Sequence, residues 1–449
     1  PEKSAAESSS ERENRELHRV VYGLLLLILV PALAVAQVGI AFEFSLSNPG
    51  ARSMGFGGAF VALADDATAA FANPAGLVQV AKPELSAELR HWSYSVPFTF
   101  TGRLSGAPTG MGLDTKGGVY FGNYDDVSTG LSFLSFVYPR KHLTLAFYRH
   151  LSANFQVSSF TQGLFAEGEG PFDTFRLVDR VDYTEIKTAA YGLSAATKLI
   201  GNLSLGLTLT YYDGLLTGNQ TRYLWDEDSL QGYFGPTSFL PERWVSGTEF
   251  IADGSDVSFN VGLLWHFSQN WFIGVSYRRA PTFDLDLTLT AGPASGDPEL
   301  PPGETYSTTS SVAYPNVLGA GIAFRSPDDR LTLSFEWDRV EYSRIFESLT
   351  ATTSGEYIPD GTEIHLGSEY AFLKLRPVLA LRAGMWLDPN HQVRSEIPNQ
   401  VIQGLLGTGG DEMHFTFGIG AAFSRFQVDF AVDHADRQDT ISLSGIYSW

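Results

Sequence analysis

The chain has 449 residues, with 30 Lys plus Arg against 50 Asp plus Glu and a formal net charge of -20. That balance excludes a nucleic-acid partner, because a phosphate backbone demands a positive footprint. Cysteine is absent, which excludes a disulfide framework and thiolate metal sites and leaves a bacterial envelope location open.

In chain order, the first predicted element is a leader. Val20 to Ala36 reads VVYGLLLLILVPALAVA, follows Arg15, His18 and Arg19, and closes on Ala34-Val35-Ala36; this is the pattern of a secretory signal cleaved after Ala36. A membrane anchor is the alternative, but the run falls short of the roughly 20 residues a spanning helix needs, and it contains Pro31. Residues 1–36 are therefore set aside from the fold. No later stretch approaches about 18 uninterrupted apolar residues, so nothing further would hold the chain in an inner membrane by a helix.

The next segment carries Gly55, Gly57 and Gly58, then Asp65-Asp66, then Asn73-Pro74-Ala75. The glycines do not make a phosphate loop, since no strand precedes them and the dinucleotide fingerprint is incomplete; backbone freedom explains them better. Asp65 and Asp66 have no partner carboxylates at ligand spacing, so they read as helix or turn caps and not as a cation site. Neither a metal nor a cofactor is expected. Asn73-Pro74 is a turn initiator.

From about residue 84 onward the dominant period is two. Leu203, Leu205, Leu207, Leu209 and Tyr211 alternate with Ser204, Gly206, Thr208, Thr210 and Tyr212, which places a greasy stripe on one face of a strand. The pattern returns in Val257 to Phe267, Leu331 to Trp337, Met413 to Ile419, Phe426 to Val432 and Ile441 to Trp449. About fourteen such strands, each about 9 to 11 residues long, predict an all-β transmembrane antiparallel barrel over residues 84–449.

Tight connections are predicted near Arg140-Lys141, Gly201-Asn202, Gln269-Asn270, Pro327-Asp328, Lys374 and Ser424-Arg425. Long ones are predicted over Pro97 to Val127, Val157 to Val181, Asn219 to Gly254, Thr288 to Ser311, Arg344 to Asp360 and Asp388 to Gly410. Short turns on one side and long loops on the other are what a barrel crossing an outer membrane shows. A soluble sandwich is the alternative. However, the opposite strand faces carry Asn260, His266, Arg278, Glu336, Asp338, His365, Glu369, Arg382, His414, Asp429 and Asp433, too polar for a dry core and suited to a hydrated lumen.

The stretch from Asn48 to Leu77, with its Gly-rich run, Ala64-Asp65-Asp66-Ala67 and Asn73-Pro74-Ala75 in that order, resembles the N-terminal segment of the FadL family of outer-membrane transporters for long-chain fatty acids and aromatic hydrocarbons. The resemblance implies a fourteen-stranded barrel with residues 37–83 folded inside the lumen as a hatch, and it assigns Gly55, Gly57, Gly58, Asp65, Asp66, Asn73, Pro74 and Ala75 to that gate. It also implies an outer groove, an interior site and sideways release through the wall of a barrel in the outer membrane of a Gram-negative bacterium. Trp449 departs from the commoner terminal Phe, but either aromatic suits recognition by the barrel-insertion machinery. The partners implied are a hydrophobic small molecule, outer-membrane lipid and lipopolysaccharide.

A fatty-acid carboxylate would ask for a cation, ideally a guanidinium. By strand parity Arg278 and Arg382 are the best inward candidates, ahead of Arg90 and Lys187; the alternative, which the abundance of inward acids favours, is a charge network with Glu336, Asp338, Glu369 or Asp429. An uncharged hydrocarbon needs no cation. A barrel enzyme is not expected, for there is no G-x-S-x-G and no paired-His motif. The remaining alternative is a scaffold or shuttle, as in FadL-like subunits of the type IX secretion system, docking partners through loops such as Gly232-Tyr233-Phe234-Gly235-Pro236.

Overall fold

The computed structural model describes residues 48–167, 174–177, 179–225, 239–295, 301–348, 356–396 and 410–449. The leader, residues 37–47 and the Gly232 to Pro236 loop motif lie outside the described residues. Alternation of apolar and small polar side chains makes each strand two-faced, and the strands satisfy one another's backbone groups only by closing on themselves. They do so in one antiparallel sheet: β1 (Glu84–Arg103), β2 (Val119–Pro139), β3 (Thr144–Thr161), β4 (Asp179–Ile200), β5 (Leu203–Tyr223) and β6 (Trp244–Trp265) lead the ring. β7 is broken into Trp271–Arg278 and Thr282–Ala291, and β8 into Thr305–Ala313 and Val317–Arg325, each break holding a proline, Pro281 or Pro315. β9 (Leu331–Val340), β10 (Gly361–Phe372), β11 (Val378–Asp388), β12 (Glu412–Ala422), β13 (Phe426–His434) and β14 (Gln438–Ser448) complete it, and β14 pairs with β1 from Glu84↔Ser448 to Tyr94↔Gln438. The barrel thus closes with fourteen strands, as the periodicity predicts.

The greasy stripes face outward. Val257, Leu209 and Phe417 are 58%, 55% and 64% exposed, whereas Thr208, Ser258 and Asp429 on the opposite faces are buried. That is the reverse of a soluble sandwich and what a hydrocarbon surround requires. Near the short turns the outward aromatics meet in pairs: Trp265 with Phe267, Trp271 with Phe324, Phe423 with Phe426 and Trp449 with Phe136. They form a girdle of the kind that marks a membrane interface.

Two expectations need correction. β1 to β6 are 18 to 22 residues long, about twice the length predicted, while β9 to β14 have 9 to 12. Several segments predicted as loop are ladder instead: β1 continues past Pro97 to Arg103, and β6 already begins at Trp244. Polar residues beyond the apolar band still pair backbone to backbone, so the hydropathy boundary does not end the strand; at about 3.3 Å per residue these strands run some 70 Å. The inward polar faces, in turn, do not line an open hydrated bore. They are buried, many of them against residues 48–80, whose short helices Ala51–Gly55 and Ala69–Ala72 and 3-10 turn Pro74–Gln79 contact the wall on several sides.

Candidate functional site

The segment from Asn48 to Val80 meets the wall with two kinds of contact. Toward β2, β4, β5 and β6 its backbone carbonyls accept neutral hydrogen bonds: Ser135 Oγ donates to Ala67 O (3.1 Å), Ser194 Oγ and Thr208 Oγ1 to Ala70 O (3.3 and 3.1 Å), and Asn260 Nδ2 to Phe71 O (2.6 Å). Asn73, fully buried, donates from Nδ2 to Val61 O (2.8 Å) and to Leu263 O of β6 (3.0 Å), and its Oδ1 caps the Pro74–Gln79 turn through Ala75 N (3.2 Å). The turn initiator is therefore also the rivet between segment and wall. Close approach here depends on wall glycines: a Cβ on Gly262 would stand 2.0 Å from Asn73 Oδ1, and one on Gly206 would stand 2.2 Å from the Pro74 backbone.

On the opposite side, toward β8 and β10 to β13, ion pairs join such bonds, as where Thr416 Oγ1 donates to Gly55 O (3.3 Å). Arg52 bonds Asp65 and stands 3.3 Å from Asp66 and 3.5 Å from Glu369; Arg325 reaches Asp65 at 2.9 Å. Burial pushes both aspartates up, but for Asp65 the two guanidiniums outweigh it and hold the carboxyl well below the usual range. Asp66 stays raised by burial, with Arg52 only partly compensating. Asp66 also accepts from Thr68 N (2.9 Å), in keeping with the capping role expected of it. Arg382 donates to Glu369 and Asp429, both at 2.7 Å. Gly57 and Gly58 sit at φ +64° and +80°, where a side chain would be strained; a Cβ on Gly57 would also stand 2.7 Å from Leu366 O. Gly55 packs on Gly418, 3.1 Å from Cα to a notional Cβ.

On the long-loop side of this segment lies a cavity. Its floor is Met54, Gly57 and Gly58; its walls include Trp92 and Tyr94 of β1, Leu151, Ala153 and Phe155 of β3, and Trp386 and His414. Trp386 is sandwiched between His365 and His414, with centroids 5.4 and 3.8 Å away, and its Nε1 donates to Asp433 (3.0 Å). Sequence reasoning named His365 and His414 as inward but passed over Trp386, Trp92 and Tyr94, and it did not single out the wall glycines for contact with the segment. Parity would have found Trp386 and Gly384, which share the inward face with Arg382.

Arg278 lies over the Phe71 ring, 4.4 Å from its centroid, beside the segment and outside this cavity. Arg90 lines the cavity but bonds Glu88 (2.8 Å), and Lys187 bonds Glu185 at a half-exposed site.

The wall beside the cavity is incomplete. β2 and β3 pair only from Pro139↔Thr144 to Phe133↔His150. Beyond that, β2 stays with β1 while β3 stays with β4, with an irregularity in its register between Leu151 and Ala153. The continuation of β3 crosses to β1, where Gln162 N donates to Phe100 O (2.9 Å) and Thr161 Oγ1 to Thr99 O (2.7 Å). Between these limits the two strands form no ladder, and side chains bridge them: Arg149 Nη1 to Leu131 O (2.7 Å) at its edge, Asn154 Nδ2 to Ser128 Oγ, and Tyr94 of β1, whose Oη donates to Asp126 (3.0 Å) or Gln156 O (2.9 Å) and accepts from Gln156 N (3.1 Å).

Several solved structures share this architecture. A FadL homologue of Pseudomonas aeruginosa superposes with a TM-score of 0.62 at 14% identity, covering 90% of this chain and 99% of that one. The toluene transporter TbuX of Ralstonia pickettii gives 0.53 at 14% identity over 91% and 100% of the two chains. The toluene transporter TodX of P. putida gives 0.51 at 13% identity over 90% and 99%. No curated protein matches the chain. The profile of the family described as outer membrane protein transport protein (OMPP1/FadL/TodX) matches residues 174–440, a part of the barrel that does not include the glycine-rich segment from which the resemblance was read. With more than half its length in that match, the chain belongs to the OMPP1/FadL/TodX family of outer-membrane transport channels of Gram-negative bacteria.

Proposed function

We propose that the protein passes hydrophobic molecules, uncharged aromatic hydrocarbons before fatty-acid anions, from its outer loops into the cavity above the hatch and then sideways through the gap between β2 and β3. The observation that carries this is the unpaired stretch of those two strands: its inner edge, Leu151 to Phe155, is also a wall of the cavity. A ligand there reaches bilayer without crossing the polar, ion-paired bottom of the barrel. The residues 48–80 act as the hatch, and Asn73 with Pro74 and Ala75 as its pivot. The toluene channels among the similar structures support the substrate class.

Preference for a neutral ligand follows from the charges. Each carboxylate that lines the cavity faces a histidine of the same lining, Glu363 with His365 (3.3 Å), Asp388 with His391 (3.5 Å) and Asp433 with His414 (3.0 Å), and Arg90 is paired with Glu88. A fatty-acid carboxylate would have to displace one of these acids to gain a cation, whereas an aromatic ring meets Trp92, Tyr94, Phe155 and Trp386 directly. Arg278 is retained as the residue a carboxylate would seek if it passed deeper. Among the described residues nothing favours the scaffold alternative.

Because the chain has no cysteine, the gap can be locked cleanly. Ser128→Cys with Asn154→Cys, oxidised, should cut toluene uptake into whole cells at least about tenfold, and reduction should restore it. Equal uptake with the lock closed would sink the lateral route. Oleate should compete poorly with toluene for binding in detergent, and Arg278→Ala should leave toluene binding unchanged.

A further inference from the structure

A cluster at the seam between hatch and wall borders that cavity through Glu363 and His365 and extends below it to Asp338. His365 of β10 is buried, and its Nδ1 bonds the hatch carbonyl Gly57 O at 2.7 Å. That bond makes Nδ1 the donor, so a second proton or a metal ion would be held at Nε2, and an Nδ1–H to a backbone carbonyl is the arrangement typical of an imidazole that holds a metal. Nε2 faces Glu363 Oε2 at 3.3 Å and Asp338 Oδ2 at 3.7 Å, and one ligand atom from each of the three residues lies within 4.8 Å of the others. Two ligands about 2.0–2.1 Å from a tetrahedral ion stand about 3.3 Å apart, so the set is already near coordination spacing.

Charge and satisfaction point the same way. Asp338 is 9% exposed, and its Oδ1 is buried without a hydrogen-bond partner. Glu336, two residues away and also buried, accepts from the hatch amide Val61 N at 2.6 Å, and Tyr342 Oη approaches the second oxygen of Glu363 at 3.5 Å. Three carboxylates therefore converge around one imidazole, with Arg278 in the same small space between hatch and wall. Arg278 offsets one of these charges, and burying the others is costly unless a further cation, a second proton on His365 or a metal ion, shares the site.

We propose that Asp338, Glu363 and His365 form a divalent-metal site, for an ion of the zinc or manganese class, which pins the hatch to β9 and β10. One imidazole with two carboxylates suits such ions better than magnesium or calcium, which prefer all-oxygen shells. The ion would act on the hatch through His365 and Gly57 O, with Glu336 and Val61 N beside it.

The test uses the full-length barrel in detergent, stripped with a chelator, dialysed and titrated with zinc sulfate. One zinc per barrel is expected, unaffected by excess magnesium, with binding at least about tenfold weaker in the near-isosteric variants Asp338→Asn and Glu363→Gln. Folding of each variant is checked by heat-modifiable mobility in gels. Should a variant fail to fold, X-ray absorption on the zinc-loaded wild type decides, with one nitrogen and two carboxylate oxygens in the shell expected. Absence of saturable zinc binding would overturn the proposal and leave an imidazolium–carboxylate cluster. So would a shell with two or more histidines, or zinc that survives Asp338→Asn and Glu363→Gln but is lost in His391→Ala or His414→Ala, since those line the neighbouring cavity.

Discussion

The hatch is held differently on its two sides. Toward β4 to β6 it is fitted: serine, threonine and asparagine side chains find its carbonyls, and glycines at 206 and 262 make notches for Asn73 and Pro74. Toward β8 and β10 to β13 glycines 367 and 384 also seat Phe56 and Gly57, but ion pairs are added: Arg52 faces Glu369 and Asp65 meets Arg325, while Arg382 ties Glu369 to Asp429 within the wall. A fitted contact loses most of its energy over a fraction of an ångström, while a charged one weakens slowly with distance.

The comparison can be broken on either side. The largest effect is expected from Arg382→Ala, which takes the guanidinium from buried Asp429 and leaves Glu369 with Arg52 alone; the loss should be about 3–5 kcal/mol in urea unfolding from detergent. A loss under about 1 kcal/mol would mean that the ionic edge is ornamental. Gly262→Val should cost about 1–3 kcal/mol by overpacking, and it should expose the hatch to protease while the barrel stays folded. If the hatch stays protected, the notch is not what seats it.

The smallest effect sharpens the ionic side by pH. Because the folded value of Asp65 is depressed, its stabilisation is fully present above the unfolded value of about 3.9 and is lost only as pH falls through the lower folded value. Wild type and Asp65→Asn should therefore differ by the same amount at pH 7 and pH 5, and converge only in strong acid. Convergence already at pH 5 would show that Arg52 and Arg325 do not hold that carboxylate.

Much of the barrel was legible because the bilayer reverses only one rule. Alternation still reports which side chains share a face, so Leu207, Leu209 and Phe417 read as one surface and Asp338, His365 and Arg382 as the other. The tight turns read true for the same local reason, as at Gly201-Asn202 and Ser424-Arg425. Strand ends did not: Pro97 to Arg103 looks like loop by composition, and only a partner ladder makes it strand. Nor did the gap read from sequence, since nothing in Ser128 to Ser132 or Leu151 to Phe155 says that two adjacent strands decline to pair.

The sequence by itself determined the acidic balance, the two-faced strands, their number and the glycine-rich segment before them, because each is a local property of composition or period. Tertiary structure alone decided that Arg382 serves two acids, that Asn73 binds a strand 190 residues away, and that Asp338, Glu363 and His365 converge on the Gly57 carbonyl. Those are choices among partners distant in the chain. Parity can say that a side chain faces inward, but only the closed ring and the hatch inside it say what it meets there.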